Sequence, residues 1–167
     1  QQFNENRPFF TEGTDLFSKG NLLYSRRIGQ VPDLNLIAEN ESIDKGAINL
    51  VNALKISGRD KDGLGIGFLN AITEKTMATV SNDDNDDTRY IVISPLTNYN
   101  VMVFDQRFNQ NSSVTFINTN VTRNGSFRDA NVTGLLFDLN NKTNTYNLSG
   151  GLKSSSINDI EKKNGYN

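Results

Sequence analysis

The chain has 167 residues, with 17 Lys and Arg against 19 Asp and Glu, a net charge of −2, and neither Cys nor His. This length suffices for one domain with its own core. Charges of both signs are mixed along the chain, which argues against a nucleic-acid partner, whose phosphates demand a clustered basic face. Without Cys there is no disulfide framework and no thiolate metal site. Without His, Ser-His-Asp and Cys-His chemistry is excluded and the commonest metal ligand is missing.

The first residue is Gln1, and neither a charged n-region nor an apolar h-region follows, so the start reads as an internal cut in a longer protein. No apolar run approaches the ~20 residues of a transmembrane helix. A membrane barrel would show no such run, because its strands alternate. Asn is abundant, 25 of 167 residues, and favours turns over helix interiors.

Residues 1–45 read as an irregular junction or plug-like segment. The residue before proline avoids the α region, so Arg7-Pro8-Phe9-Phe10 and Val31-Pro32-Asp33 are read as extended or turn-like. Residues 46–167 read as antiparallel β-strands. Ile48, Leu50, Leu54 and Ile56 fall at period two, interrupted by Asn52. A polar turn at 57–63 precedes Leu64, Ile66, Phe68 and Ile72, which alternate with Gly65, Gly67 and Ala71. This is a hairpin with one apolar face and one small or polar face. The glycines imply close approach by other groups or a bent sheet.

An acidic loop at 81–88 separates this hairpin from a short strand at 89–94, which Pro95 ends. The stretch 97–108 is apolar on both faces in its middle, as expected where both are covered. Three further strands fall at about 112–122, 129–140 and 143–156. Asn124-Gly125 marks one hairpin turn, and Asn140-Asn141-Lys142 marks the next. The fold class is therefore all-β, an antiparallel meander of about six strands forming part of a β-barrel. Six strands do not close a membrane barrel, which needs at least about eight. Either more strands follow Asn167, or the six curl into a small soluble barrel or sandwich.

The run from Asn4 through Arg7-Pro8-Phe9-Phe10-Thr11-Glu12-Gly13 to Phe17, followed by Tyr24-Ser25-Arg26-Arg27-Ile28-Gly29, resembles a group of Bacteroidota outer-membrane proteins of unassigned function. Those have an N-terminal carbohydrate-binding family-nine-like domain and a C-terminal membrane β-barrel. Weaker matches are 53–58, 67–71 and 95–99. The resemblance covers essentially the whole chain and implies the junction and first barrel strands. It also implies an outer-membrane location, lipid as a partner, and a link to glycan through an upstream domain.

Candidate ligand-binding residues are Tyr24, Arg26 and Arg27. Adjacent arginines in an extended chain point to opposite sides. We read them first as structural, paired with Glu12 and Asp15 in a barrel lumen, and second as a contact for an anion or sugar acid. Asp83, Asn85 and Asp87 imitate the start of a calcium loop, but the required Gly is absent and Ser94 stands at its twelfth position, so a solvated acidic loop is the plainer reading. Phe9, Phe10, Phe17 and Tyr24 read as packing rather than as sugar stackers. Tyr90 and Tyr99 would join an aromatic girdle if the barrel reading holds. No cofactor is implied, and no constellation argues for an enzyme.

Two readings follow. In a membrane barrel Ile48, Leu50, Leu54, Ile56, Leu64, Ile66 and Phe68 face lipid, while Lys55, Gly65, Gly67 and Thr73 line a polar interior. Asn52 and Asn70 count against it, being costly in lipid. In a soluble β-sandwich or small barrel that binds a glycan or protein, the same apolar stripe faces a core.

Overall fold

The computed structural model describes residues 7–12, 14–23, 25–30, 41–82, 87–109, 111–158 and 163–166. Ten strands run in chain order: β1 (Glu41–Lys45), β2 (Leu50–Arg59), β3 (Leu64–Thr73), β4 (Thr76–Asn82), β5 (Thr88–Ser94), β6 (Thr97–Phe108), β7 (Ser112–Arg123), β8 (Asp129–Asn140), β9 (Asn147–Asn158) and β10 (Lys163–Tyr166). Seven form one sheet in the order β10-β9-β8-β7-β6-β3-β2, and β1-β4-β5 form a second. All pairings are antiparallel. The expected meander is therefore present, interrupted only where β4 and β5 leave the large sheet between β3 and β6. Among the described residues the sheet is open, with β2 and β10 at its edges.

The large sheet holds the expected meander, and β1, β4 and β10 are strands that the sequence pattern did not reveal. β1, β4 and β10 are short or polar, and pairing rather than propensity makes them strands. β1 has the sequence ESIDK and pairs in register with β4, Glu41 opposite Asn82 and Lys45 opposite Ala78. β1 thus falls inside the stretch 1–45 expected to be irregular. Ile48 lies ahead of β2, and a register shift between Leu50 and Asn52 puts Leu50 opposite Thr73, so neither residue extends the outward stripe of Leu54 and Ile56.

Turn chemistry fixes the hairpins. Asp60 Oδ1 accepts hydrogen bonds from the N–H groups of Asp62 (2.9 Å) and Leu64 (2.8 Å), closing the β2–β3 turn. Gly125, with φ of +89°, turns β7 into β8 at the Asn-Gly pair. Asn141 Oδ1 accepts from the N–H groups of Thr145 (2.8 Å) and Tyr146 (3.1 Å) in the β8–β9 turn.

The described part of the N-terminal segment lies against one face of the large sheet. It holds the one-turn helix α1 (Pro8–Thr11) and two short 3-10 turns, Lys19–Asn21 and Ser25–Arg27. Pro8 suits a helix start, where its missing N–H costs nothing. Phe10, Leu16, Phe17 and Ile28 pack on Leu69, Ala71, Val101, Val103 and Ile117 to make the main core. Glycines on that sheet face admit the segment: a Cβ on Gly67 would sit 3.1 Å from the Phe17 ring, and one on Gly134 2.6 Å from Leu22. This is the close approach that the alternating glycines implied.

Phe17 is 1% exposed, whereas Ile56 on the opposite face is 60% exposed. Phe17→Ala should therefore cost about 3–5 kcal/mol of stability. Denaturant titration followed by far-UV circular dichroism should show that loss, with Ile56→Ala leaving the midpoint nearly unchanged.

Candidate functional site

Alternation gives each strand of the large sheet an inward side, towards the N-terminal segment, and an outward side. On β3 the inward residues Gly65, Gly67, Leu69, Ala71 and Thr73 are buried, while Ile66 and Phe68 are exposed. Following the register across the sheet sorts the charges. Lys55 lies opposite Leu69 and Arg59 opposite Gly65; Asp105 lies opposite Gly65; Arg123 lies opposite Thr97. Arg107 and Asp138 both lie opposite Ser113, and Lys153 lies opposite Gly134. Every charged residue of β2, β3, β6, β7, β8 and β9 is thus inward except Asp129, at the start of β8.

Asp105 is the centre of the inward side. Its side chain is fully buried and bonded to the Arg59 guanidinium, with Lys19 Nζ at 3.3 Å and Arg107 Nε at 3.7 Å. The Thr115 hydroxyl donates to its other oxygen at 2.5 Å. Three cations on three different chain segments therefore share one carboxylate, which offsets the desolvation of the buried charge. One of them, Lys19, belongs to the N-terminal segment, so the ion cluster ties that segment to the sheet. Lys55 Nζ adds bonds to the carbonyls of Phe9 and Glu12, and Lys153 Nζ donates to Gly20 O at 3.0 Å. Arg7 folds the segment on itself, donating to Ile28 O and Ser25 O, each at 2.9 Å.

The outward side has a different chemistry. Leu54, Ile56, Ile66, Phe68, Met102, Phe104, Phe116, Leu135, Leu148 and Leu152 are all exposed and form one band across the strands. Beyond it, towards the end of the sheet that carries β4 and β5, the outward positions turn mostly to Asn, Ser and Thr, with Ile72 on β3 and Asp129 on β8 as exceptions. Their carboxamides pair across strands. Asn70 Nδ2 donates to Asn98 Oδ1 (2.7 Å) and Asn100 Oδ1 (2.8 Å). Asn118 Nδ2 donates to Thr133 Oγ1 (2.8 Å) and Asn131 Oδ1 (3.2 Å).

Of the residues nominated from sequence, Tyr24, Asp83 and Asn85 lie outside the described residues. Arg26 and Arg27 are exposed on the short turn Ser25–Arg27 rather than in an extended chain, so their side chains do not alternate as expected. The carbonyl of Arg27 accepts from the N–H of Gln30 at 3.3 Å. Asp87 is exposed, and its carbonyl accepts from Asn82 N at 2.9 Å. Among the described residues no group of three or more acidic side chains could hold a metal ion. Tyr99 does not join an outward girdle: it packs inward against the core cluster. Tyr90 is exposed on β5, in the small sheet. The Asp105 cluster was missed in the sequence, although an acid in phase with Val101 and Val103 was its signal.

Replacing Asp105 with Asn leaves Arg59 and Lys19 facing a neutral amide. Breaking a buried pair in this way costs about 3–5 kcal/mol. Limited proteolysis should then cut residues 14–23 much faster than in the parent chain, before the sheet loses its far-UV signal.

No curated protein and no solved structure matches the chain. A family model does, over residues 1–167. The chain therefore belongs to the family described as domain of unknown function DUF5916.

Proposed function

We propose that this chain is a non-enzymatic segment of an outer-membrane β-barrel protein. The outward face of its large sheet meets lipid acyl chains. Its inward face forms the polar interior, filled in part by the N-terminal segment. The observation that carries this reading is the segregation of charge: the inward side takes all the strand charges but one, while ten large apolar side chains stand exposed on the other side. A water-soluble sheet places its apolar side against its core and its charges in solvent. A membrane barrel does the reverse.

Strand length agrees. β6, β7, β8 and β9 are 12 residues each and β2 and β3 are 10, against the about 9–11 residues of a tilted transmembrane strand. Asn70, one of the two carboxamides that weighed against lipid contact, donates to Asn98 and Asn100, which removes much of its cost. Among the described residues no helix is long and apolar enough to cross a membrane, a statement that does not bear on strands. The N-terminal motifs support the outer-membrane setting, and their resemblance links the barrel to surface glycan binding or uptake.

The test is refolding into phosphatidylcholine vesicles. Phe104, 39% exposed, sits on the outward band beside inward Val103 and Asp105. Phe104→Arg should weaken insertion by about 2–4 kcal/mol, the cost of Arg near a bilayer midplane. Arg107→Ala, on the inward side, should insert as the parent does. If the parent chain is instead monodisperse and strand-rich in plain buffer and ignores vesicles, it is a soluble β-sandwich or small-barrel module.

A further inference from the structure

The outward face carries a boundary as well as a band. Read along each strand towards the β4–β5 end, the band gives way to its first polar residue between Leu54 and Asn52 on β2, between Phe68 and Asn70 on β3, where Ile72 follows as an apolar residue inside the belt, and between Met102 and Asn100 on β6. It does so between Phe116 and Asn118 on β7, Leu135 and Thr133 on β8, and Leu152 and Ser154 on β9. This line does not follow a ladder rung. Leu54, Asn70, Asn100, Asn120, Asn131 and Ser156 share one rung, and it runs from the apolar band into the polar belt.

The drift can be counted. Leu54 lies opposite Asn70, so the boundary shifts two residues between β2 and β3. Phe68 lies opposite Met102, with no shift. Met102 lies opposite Asn118, a further two residues. Phe116, Leu135 and Leu152 then share a rung. Four residues over five strand steps correspond to about 13 Å along the strands and about 24 Å across them. A level line on this sheet is therefore inclined to the rungs by roughly 30°, near the tilt of strands in membrane barrels.

We infer that this line marks the level of the lipid headgroups, with the strands tilted about 30° from the membrane normal. The inference rests on the barrel reading proposed above. The occupant of the belt is the uncharged, hydrogen-bonding part of the bilayer interface, the glycerol-ester and headgroup zone. Three observations favour it. The belt adjoins the apolar band on every strand from β2 to β9 in the large sheet. It is rich in carboxamides and hydroxyls and carries one charge, Asp129, at its far margin. That carboxylate accepts a hydrogen bond from the N–H of Arg123 at 2.7 Å. The small sheet β1-β4-β5 leaves from this same end, so it stands on the water side of that interface. The tighter β2–β3 and β6–β7 turns lie at the opposite end.

The chain has no Cys, so single cysteines can be introduced and spin-labelled cleanly. In vesicles of phosphatidylcholine, collision with oxygen against a polar nickel chelate reads the depth of each label. Leu54→Cys and Leu152→Cys, four residues apart in register, should report one depth. Leu54→Cys and Ser156→Cys, on one rung, should differ by about 12 Å, the rung length times the sine of the tilt. Asn100→Cys and Asn120→Cys should lie at headgroup depth. Equal depths for Leu54 and Ser156 would overturn the inclination. Labels at Asn100 and Asn120 as deep as one at Phe104 would overturn the headgroup assignment and leave the barrel reading standing. If no outward label meets hydrocarbon, the barrel reading falls and this inference with it.

Discussion

A β-strand has two sides, and a charge placed on one of them fixes what the other must be. In the large sheet Lys55, Arg59, Asp105, Arg107, Arg123, Asp138 and Lys153 all lie on one side. The carboxylate of Asp105 is fully buried there and shared by Arg59, Lys19 and Arg107. A buried ion cluster of this kind is weak evidence for stability, since desolvation offsets the attraction. It is better evidence for register. A slip of one residue would turn every inward charge outward and every outward Leu and Phe inward.

The N-terminal segment follows from the same constraint. Sheet charges need partners, and the segment supplies Lys19 and the carbonyls of Phe9, Glu12 and Gly20. It also supplies Phe10, Leu16, Phe17 and Ile28, which cover the apolar middle of β3, β6 and β7. A segment whose described residues hold no strand thereby becomes the second layer of the core. The outward face has no such layer among the described residues, and its exposed band matches the chemistry of acyl chains rather than of water.

Much of this architecture was legible in the sequence, because period-two patterns survive wherever one face is uniform. The β2–β3 hairpin, the Asn-Gly turn and the close approach at the alternating glycines were read from residues alone. So was the division of Lys55, Gly65, Gly67 and Thr73 from Leu54, Ile56, Leu64, Ile66 and Phe68. What was not legible depends on register. Asn70 looked costly because its partners Asn98 and Asn100 are some thirty positions away in sequence. β1 is a polar five-residue strand that exists only through its pairing with β4. Tyr99 was expected in an outward girdle under the barrel reading, but it packs inward, and alternation alone does not say which side of a strand apolar on both sides is covered. The Arg26–Arg27 pair drew attention as a motif, whereas the sheet's buried ion cluster uses Lys19 and Arg59, which stand in no motif.

The central claim is that the outward face meets lipid. The most direct measurement is labelling of vesicle-inserted chain by a photoactivated carbene reagent dissolved in the bilayer, mapped by residue-level mass spectrometry. The account expects label on Phe68, Phe104, Phe116 and Leu135, and none on Val103 or Ile117. Label absent from all six, or divided evenly between the two sets, would contradict it.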